Sequence, residues 1–267
     1  MVKKLAKYLS IEIGNENIKI VEGKRQGNNI IIYNTALIKT PYGVVKDGNI
    51  IIIDDLVASI DKVLNNKKIS TKKVVFNINT NSLISRNLEL PILKTKSETL
   101  SMIKYELEQY MPVVLNEYNL LYKITEKYEE DDVKKGKYIV YALPNKLYED
   151  YLELAEKLKL KPISFDLSFN NLDKIIKPRI HINNHKIEKD DVVLMINLGH
   201  DTIIFNVINK GINKFSRVIN LGGGDIDINF EDYFNIDKES AVELKHDLKA
   251  IQNDINDNQD EIIKKNI

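Results

Sequence analysis

Residues 10–20 of the chain read SIEIGNENIKI, and this stretch decides how the rest of the sequence is interpreted. Apolar Ile11 and Ile13 alternate with polar Glu12, which is the period of a half-buried strand. Gly14 interrupts the alternation, and a second alternating run begins after a short polar corner. The stretch therefore predicts a strand, a tight turn and a returning strand. Backbone N–H groups crowd at such a turn and can hold a phosphate, although an ordinary hairpin turn explains the same residues.

The same pattern returns later in the chain, where Gly199 follows Gly14 by 185 residues. A repeat with its glycine in register predicts two related lobes, each of which presents one glycine turn. Two such turns, facing each other across a cleft, could hold the phosphates of a nucleotide from both sides. The alternative is a duplicated hairpin that only supports the sheets. The matching pairs are Ile11 and Ile196, Glu12 and Asn197, Ile13 and Leu198, Gly14 and Gly199, Ile18 and Ile203, and Ile20 and Phe205.

Composition excludes several classes of function. The chain has 267 residues, in which 39 Lys and Arg residues balance 39 Asp and Glu residues without a long basic block, so a nucleic-acid partner is disfavoured. The absence of cysteine excludes a disulfide framework and cysteine-based chemistry, and the four histidines form no two-histidine metal motif. No signal peptide and no run of about 18 apolar residues is present, so we expect a soluble cytoplasmic protein.

The beginning of the chain predicts a mixed α/β unit. The strand periodicity indicates a three-stranded meander, and a helix follows with a candidate N-terminal cap at Asp54 or Asp55. A short apolar strand comes next. The predicted strands are 8–13, 18–24, 29–39 and 74–78.

A different unit interrupts this pattern at residues 81–143. Thr95 and Glu98 are spaced as a capping box, in which each side chain satisfies a backbone donor of the other residue at a helix start. That helix ends before Pro112, which cannot continue it. Asn145 is a candidate cap for the next helix. The predicted strands are 83–90, 118–127, 137–143 and, after the second helix, 162–167.

The last third of the chain repeats the meander. Residues 170–191 are polar and without period, which makes them a candidate linker or hinge. Strands are predicted at 192–197, 202–209 and 213–221.

Three consecutive glycines, Gly222, Gly223 and Gly224, follow the second meander. Such a run permits positive φ and close backbone approach, and it also suits a flexible connection between lobes. A final helix is predicted with its cap at Asp237 or Ser240, and the residues after it are expected to form a frayed helix.

These features together resemble the actin-like ATPase superfamily and, within it, the PilM family of type IV pilus assembly proteins, which is related to FtsA. The superfamily's first phosphate motif is similar to the run from Glu12 to Lys19, and its second is similar to the run from Asn197 to Thr202. The inserted unit and the glycine run with the helix after it carry the PilM-like part. Residues that match the family pattern around the insert are Arg86, Pro91, Tyr110 and Pro112.

The resemblance implies an α/β fold of the actin-like (ribonuclease H-like) kind, with two lobes and an inserted IC-type subdomain. Residues 1–80 and 144–187 would form subdomain IA, and 81–143 the inserted subdomain IC. Residues 188–224 would form subdomain IIA, and 225–267 the start of IIB with the C-terminal tail. The second lobe is expected to be incomplete, because the family continues with a part that carries its adenosine motif.

The resemblance also implies a site for ATP with Mg²⁺, but the chain departs from it. Glu12 replaces an aspartate, Asn197 replaces an acidic residue near a cation that prefers carboxylate oxygens, and Val242 replaces a ribose-binding glutamate. We therefore expect a degenerate nucleotide site, no catalytic residue and absent or very weak ATPase activity. The implied Mg²⁺ ligands are Glu12 and Asn197, and the implied ATP contacts are Gly14, Asn15, Glu16, Asn17, Lys19, Gly199, His200, Asp201, Thr202, Gly222, Gly223, Gly224 and Lys245.

The function that the resemblance implies is a scaffold of the type IV pilus assembly machinery. It would bind the cytoplasmic N-terminal tail of PilN, link the inner-membrane complex to the pilus motor ATPases, and contact the inner face of the cell membrane only through partners. Homo-oligomers are compatible with this function. Two alternatives remain open: an FtsA-like filament-forming protein at the membrane, and a phosphotransferase of the sugar or acetate kinase type.

Overall fold

A computed structural model of the chain describes residues 6–27, 29–110, 114–167, 181–182, 185–188, 190–209 and 212–247. The chain divides into two compact units, Met1–Ser168 and Phe169–Ile267. The predicted C-terminal frayed helix, Pro112 and most of the predicted linker lie outside the described residues.

The first unit alternates strands with helices, as the periodicity predicts. Its elements are β1 (Tyr8–Ile13), β2 (Asn17–Gln26), β3 (Asn29–Lys39), β4 (Val45–Lys46), β5 (Asn49–Ile50), α1 (Ile53–Asn66), β6 (Lys73–Ile78), β7 (Ile84–Pro91), α2 (Lys96–Tyr110), a 3₁₀ turn (Leu115–Glu117), β8 (Tyr118–Glu130), β9 (Val133–Pro144), α3 (Asn145–Lys157) and β10 (Lys161–Leu167).

The main sheet of the first unit has the strand order β10-β6-β1-β2-β3. β1 pairs antiparallel with β2 and parallel with β6, which confirms the predicted meander and returning strand. Leu9, Ile11 and Ile13 are buried on one face, whereas Ser10 and Glu12 on the opposite face are only half-buried. The alternation of β1 therefore directs its apolar side chains into the core.

Two predicted helix caps are wrong. α1 begins at Ile53, after an extended Ile52, and its first turn contains Asp54 and Asp55, so neither aspartate is the cap. Both carboxylates still lie near the positive end of the helix dipole, which explains why acidic residues occur there. α3 begins at Asn145 itself, whose side chain forms hydrogen bonds with the inserted unit rather than with its own helix.

The inserted unit packs α2 on a three-stranded sheet of order β7-β9-β8. The predicted capping box is confirmed: Thr95 N donates to Glu98 Oε2 at 3.0 Å, and Glu98 N donates to Thr95 Oγ1 at 3.2 Å. The insert has its own buried cluster between the helix and one face of the sheet. The buried members are Leu90, Ile103, Leu107, Leu115, Tyr138 and Val140.

The second unit repeats the meander as an antiparallel sheet of order β13-β14-β15, which is followed by two helices. The predicted cap of the last helix is Asp237, whose Oδ1 accepts from Ser240 N at 2.8 Å. Among the described residues, no helix combines the length and apolar character needed to cross a membrane. The elements are β11 (His181–Ile182), β12 (His185–Lys186), β13 (Val192–Leu198), β14 (Ile203–Asn209), β15 (Ile212–Ile219), α4 (Gly223–Phe234) and α5 (Lys238–His246).

Candidate functional site

The first glycine turn joins β1 to β2 through a backbone hydrogen bond. Gly14 N donates to Asn17 O at 3.0 Å. A Cβ at Gly14 would lie 3.1 Å from the same oxygen, so the turn favours glycine because of this close approach. Asn15 and Glu16 form the tip between them. The first predicted phosphate loop is thus a tight turn, as the sequence predicts.

Thr40, the residue after β3, forms two hydrogen bonds with this turn. Its backbone N donates to Glu16 O at 2.9 Å, and its Oγ1 donates to Gly14 O at 2.7 Å. The side chain is buried, so the residue supports the turn rather than meeting solvent. Sequence reasoning did not find Thr40, because its partners lie far along the chain; its one visible signal is a polar residue between an alternating strand and Pro41.

Glu12 and Lys19 lie opposite each other on β1 and β2. Lys19 Nζ approaches Glu12 Oε1 to 2.7 Å, and the two side chains are 57% and 32% exposed, respectively. An ion pair this exposed contributes about 0–1 kcal/mol. The structure therefore brings together a predicted metal ligand and a predicted phosphate contact, and each neutralises the other.

The second glycine turn has the geometry of the first. Gly199 N donates to Thr202 O at 2.8 Å, and these positions correspond to Gly14 and Asn17 in the repeat. A Cβ at Gly199 would lie 2.9 Å from Thr202 O. His200 and Asp201 form the tip, with His200 Nε2 3.9 Å from Asp201 Oδ1. Both halves of the repeat thus fold into the same turn.

The glycine run lies against this second turn and begins a helix. Gly222 is the N-cap of α4, with an extended backbone, and the next two glycines start the helix. Gly223 N donates to Gly199 O at 2.9 Å, and Gly224 N donates to His200 O at 2.8 Å. None of the three glycines has a positive φ, so the run does not use the left-handed conformations that glycine permits. The other expected use, close backbone approach, is present, because a Cβ at Gly222 would overlap His200 O.

Lys245 on α5 is tied to α4. Its Nζ lies 2.5 Å from Asp227 Oδ1 and donates to Gly223 O at 3.1 Å. The Asp227 side chain is 3% exposed and that of Lys245 is 20% exposed. Lys245 therefore compensates a buried carboxylate, which is a structural task. Asp227 was not found from the sequence, since only folding brings the two helices together.

The donor set does not fit a Mg²⁺ ion. Glu12 is paired with Lys19, and Asn197 presents a neutral amide on an exposed position of β13. Within the described ranges, no group of three or more His, Cys, Asp or Glu side chains is close enough to hold a metal ion. Of the two implied Mg²⁺ ligands, only Glu12 is a carboxylate of the kind that Mg²⁺ prefers, and it is paired with Lys19.

The inserted unit presents a second candidate site. Tyr110, at the end of α2, is 75% exposed, and Arg86 on β7 is exposed and donates only to the neighbouring Ser85 carbonyl among its described contacts. Pro91 instead has a structural role, since its carbonyl accepts from Tyr138 Oη at 3.3 Å. Of the residues that match the family pattern, Tyr110 and Arg86 are therefore available for a partner.

Comparisons with known proteins agree with this fold. A family model described as type IV pilus assembly protein PilM matches residues 10–258. The solved structure of a PilM-PilN type IV pilus biogenesis complex matches with 22% identity and a TM-score of 0.78, over 97% of this chain and 74% of that chain. The ethanolamine utilization protein EutJ from Carboxydothermus hydrogenoformans matches with 13% identity and a TM-score of 0.52, over 94% of this chain and 67% of that chain. These matches confirm the predicted actin-like α/β fold.

Proposed function

Because the chain belongs to the PilM family of type IV pilus assembly proteins, we propose that it is a cytoplasmic scaffold of the pilus machinery that binds the N-terminal tail of PilN. The single observation that carries this proposal is the family match, which extends over both glycine turns and the whole inserted unit. The structural match to a PilM-PilN complex supports the same partner. The insert is a well-packed unit with exposed Tyr110 and Arg86, as a docking surface requires.

A peptide-binding measurement tests this function. A labelled peptide of the PilN cytoplasmic tail should raise its fluorescence anisotropy with the chain, whereas a scrambled peptide should not. Tyr110→Ser should weaken binding, and Tyr33→Ser is the matched control, since Tyr33 is 42% exposed but lies on β3, outside the insert. Equal binding of the two peptides, or no binding at all, would contradict the proposal.

The nucleotide site is proposed to be degenerate and the protein not to be an enzyme. The Glu12–Lys19 pair, the neutral Asn197 and the engaged Lys245 support this view. Phosphoryl transfer depends on positioning and charge neutralisation, which these residues do not supply. Calorimetry with ATP and Mg²⁺ should show no sub-micromolar binding, and no turnover above background is expected. Either signal would refute a degenerate site.

The link to the pilus motor ATPases and a peripheral place at the inner face of the cell membrane belong to the same proposal. If partners supply the membrane contact, the chain alone should not sediment with liposomes, and it should do so when the liposomes carry PilN. Sedimentation of the chain alone would instead favour a direct membrane anchor. A pull-down between the chain and the motor ATPases, with and without PilN, tests the remaining link.

A further inference from the structure

One segment of the first unit, residues 40–50, touches both the first glycine turn and the start of the insert. At its beginning, Thr40 forms two hydrogen bonds with the carbonyls of Gly14 and Glu16, at 2.7 and 2.9 Å. Movement of the turn therefore has to move Thr40 or break these bonds.

At the other end, Asp47 holds the chain where it leaves the main sheet for the insert. Its carboxylate accepts from Asn81 N at 2.8 Å, from Thr80 Oγ1 at 3.2 Å and from Ser82 Oγ at 3.3 Å. These three donors lie on the crossing between β6 and β7. Three bonds to one carboxylate fix the direction in which the chain enters the insert.

The backbone of the segment is shaped for this contact. Asp47 has φ 49° and Gly48 has φ 74°, so the β4–β5 hairpin turns through left-handed conformations at its tip. A Cβ at Gly48 would lie 2.6 Å from Asn79 O, which means that only glycine lets the hairpin approach the crossing. Conformations of this kind in a non-glycine residue cost energy and are retained where the surroundings require them.

Between its two ends the segment is anchored in the core at Val44 and Val45. Val44 and Val45 are buried, Val44 N donates to Pro41 O at 3.3 Å, and Ile51 N donates to Val44 O at 2.8 Å. Closely packed side chains transmit a displacement rather than absorb it. A shift at Thr40 should therefore reach Asp47.

The return crossing of the insert has a separate attachment. Asn145 Nδ2 donates to Asn116 O, and Asn119 Nδ2 donates to Asn145 Oδ1, both at 2.8 Å. The orientation of the insert is thus fixed at two crossings, and the 40–50 segment is hydrogen-bonded to the first of them through Asp47. Hydrogen bonds of this kind contribute about 0.5–1.5 kcal/mol each, so the attachment can be altered without unfolding the unit.

We propose that residues 40–50 couple the first glycine turn to the orientation of the inserted unit, with Thr40 and Asp47 as the positioning residues at the two ends. An equilibrium coupling acts in both directions, so a change at either end must be felt at the other. The proposal rests on the proposed function only where it concerns the partner: a peptide that docks on the insert would change the glycine turn, and a change in the turn would alter peptide binding.

The experiment exploits the absence of native cysteines. Spin labels on Lys62→Cys in α1 and Lys127→Cys in β8 report the orientation of the insert, since both positions are exposed. Asp47→Asn keeps a residue that tolerates positive φ but leaves one oxygen to accept three donors. It should broaden the label distance distribution and speed amide exchange at Thr40 by roughly tenfold, the factor expected when a hydrogen bond of ordinary strength is weakened. Thr40→Val should broaden the same distance distribution from the other end.

The matched control is Asp55→Asn, an exposed aspartate of α1 away from the crossing, which should change neither readout. Thr80→Val with Ser82→Ala removes two of the three donors without altering the hairpin, and it should reproduce Asp47→Asn even if that variant folds poorly. Either of two results overturns the proposal. Asp47→Asn could leave amide exchange at Thr40 unchanged, or Thr40→Val could leave the distribution of distances between the labels unchanged. If wild type binds no PilN peptide, the proposed function fails, but these two readouts still decide the coupling.

Discussion

At Glu12, the first turn keeps the backbone shape of the family's phosphate motif but differs from it in side-chain chemistry. Its carboxylate occupies the position of a metal-ligating aspartate in the resemblance, yet the extra methylene lets it reach Lys19 Nζ at 2.7 Å. Asn197, its counterpart in the repeat, brings no charge to the second turn. If Glu12 and Asn197 make the site degenerate, placing aspartate at both positions should give ATP binding that depends on Mg²⁺.

The double variant Glu12→Asp with Asn197→Asp should therefore bind ATP at least about tenfold more tightly with Mg²⁺ than with EDTA, because carboxylate oxygens are the ligands that Mg²⁺ prefers. Titration calorimetry measures the difference. Glu12→Gln with native Asn197 is the control and should show no Mg²⁺ dependence. Strong Mg²⁺-dependent binding by the wild-type chain would show that the native residues suffice.

Glu22 is a buried carboxylate with its own polar partners. Thr71 Oγ1 and Asn34 Nδ2 donate to it at 2.5 and 2.6 Å, and Lys7 Nζ lies 3.8 Å away. Burial alone would raise its pKa, but the hydrogen bonds from Thr71 and Asn34, with help from Lys7, lower the pKa below its ordinary value of 4.5. The ionised carboxylate is thus part of the fold.

Because folding lowers this pKa, Glu22 stabilises the chain above about pH 4.5, and the contribution is lost as the pH falls through the lowered folded value. Glu22→Gln should cost about 1–3 kcal/mol of unfolding free energy at pH 7 and less in acid. Urea unfolding at pH 7 and pH 4 measures both values. Glu153→Gln, at an exposed surface pair, should change little at either pH. An equal loss for Glu22→Gln at both pH values would be inconsistent with this role.

At the scale of elements, the glycine run makes a prediction that separates close approach from flexibility. A Cβ at Gly222 would lie 2.2 Å from His200 O, whereas a Cβ at Gly223 would meet nothing closer than 3.6 Å. Gly222→Ala should therefore destabilise the chain by about 1–3 kcal/mol as an overpacked contact. Gly223→Ala, its neighbour in the first turn of α4, should be nearly neutral. Thermal melts compare the two, and equal losses would indicate that flexibility matters instead.

Local sequence patterns predicted the helices, strands and turns, but they did not predict contacts between residues that are far apart in the sequence. The meanders, the Thr95–Glu98 capping box and the repeated glycine turn follow from periodicity and spacing within a few residues. Thr40 and Asp47 act on partners 26 and 33–35 residues away, respectively. The caps expected at Asp54 or Asp55 failed because an aspartate suits the first helical turn as well as the cap.

At the scale of the molecule, the repeat explains why both units contain the same meander, but the two meanders differ in how far their apolar side chains are buried. β1 buries its apolar residues Leu9, Ile11 and Ile13, whereas β13 has exposed apolar residues at alternate positions. Paired residues of an antiparallel sheet share a face, so the exposed side chains of β13 and β15 form one surface. Its exposed members are Val192, Leu194, Ile196, Leu198, Phe215 and Ile219.

Soluble monomers rarely expose a contiguous apolar surface of this kind, because its contact with water is unfavourable. The chain should therefore self-associate in concentrated solution through this face, with little dependence on salt, since apolar burial is not screened. Leu194→Lys places a charge at the centre of the surface and should weaken association by at least about tenfold, because an unpaired buried charge costs more than ~1.4 kcal/mol.

Sedimentation velocity over a range of concentrations measures this association. Leu37→Lys is the matched control: Leu37 is 66% exposed and Leu194 is 56% exposed, but Leu37 lies on β3 of the first unit. Its substitution should leave the association unchanged if the β13 face is responsible. An equal effect of both substitutions would assign self-association to surface hydrophobicity in general, and a monomeric wild type at every concentration would show that an exposed sheet face of this size is tolerated in solution.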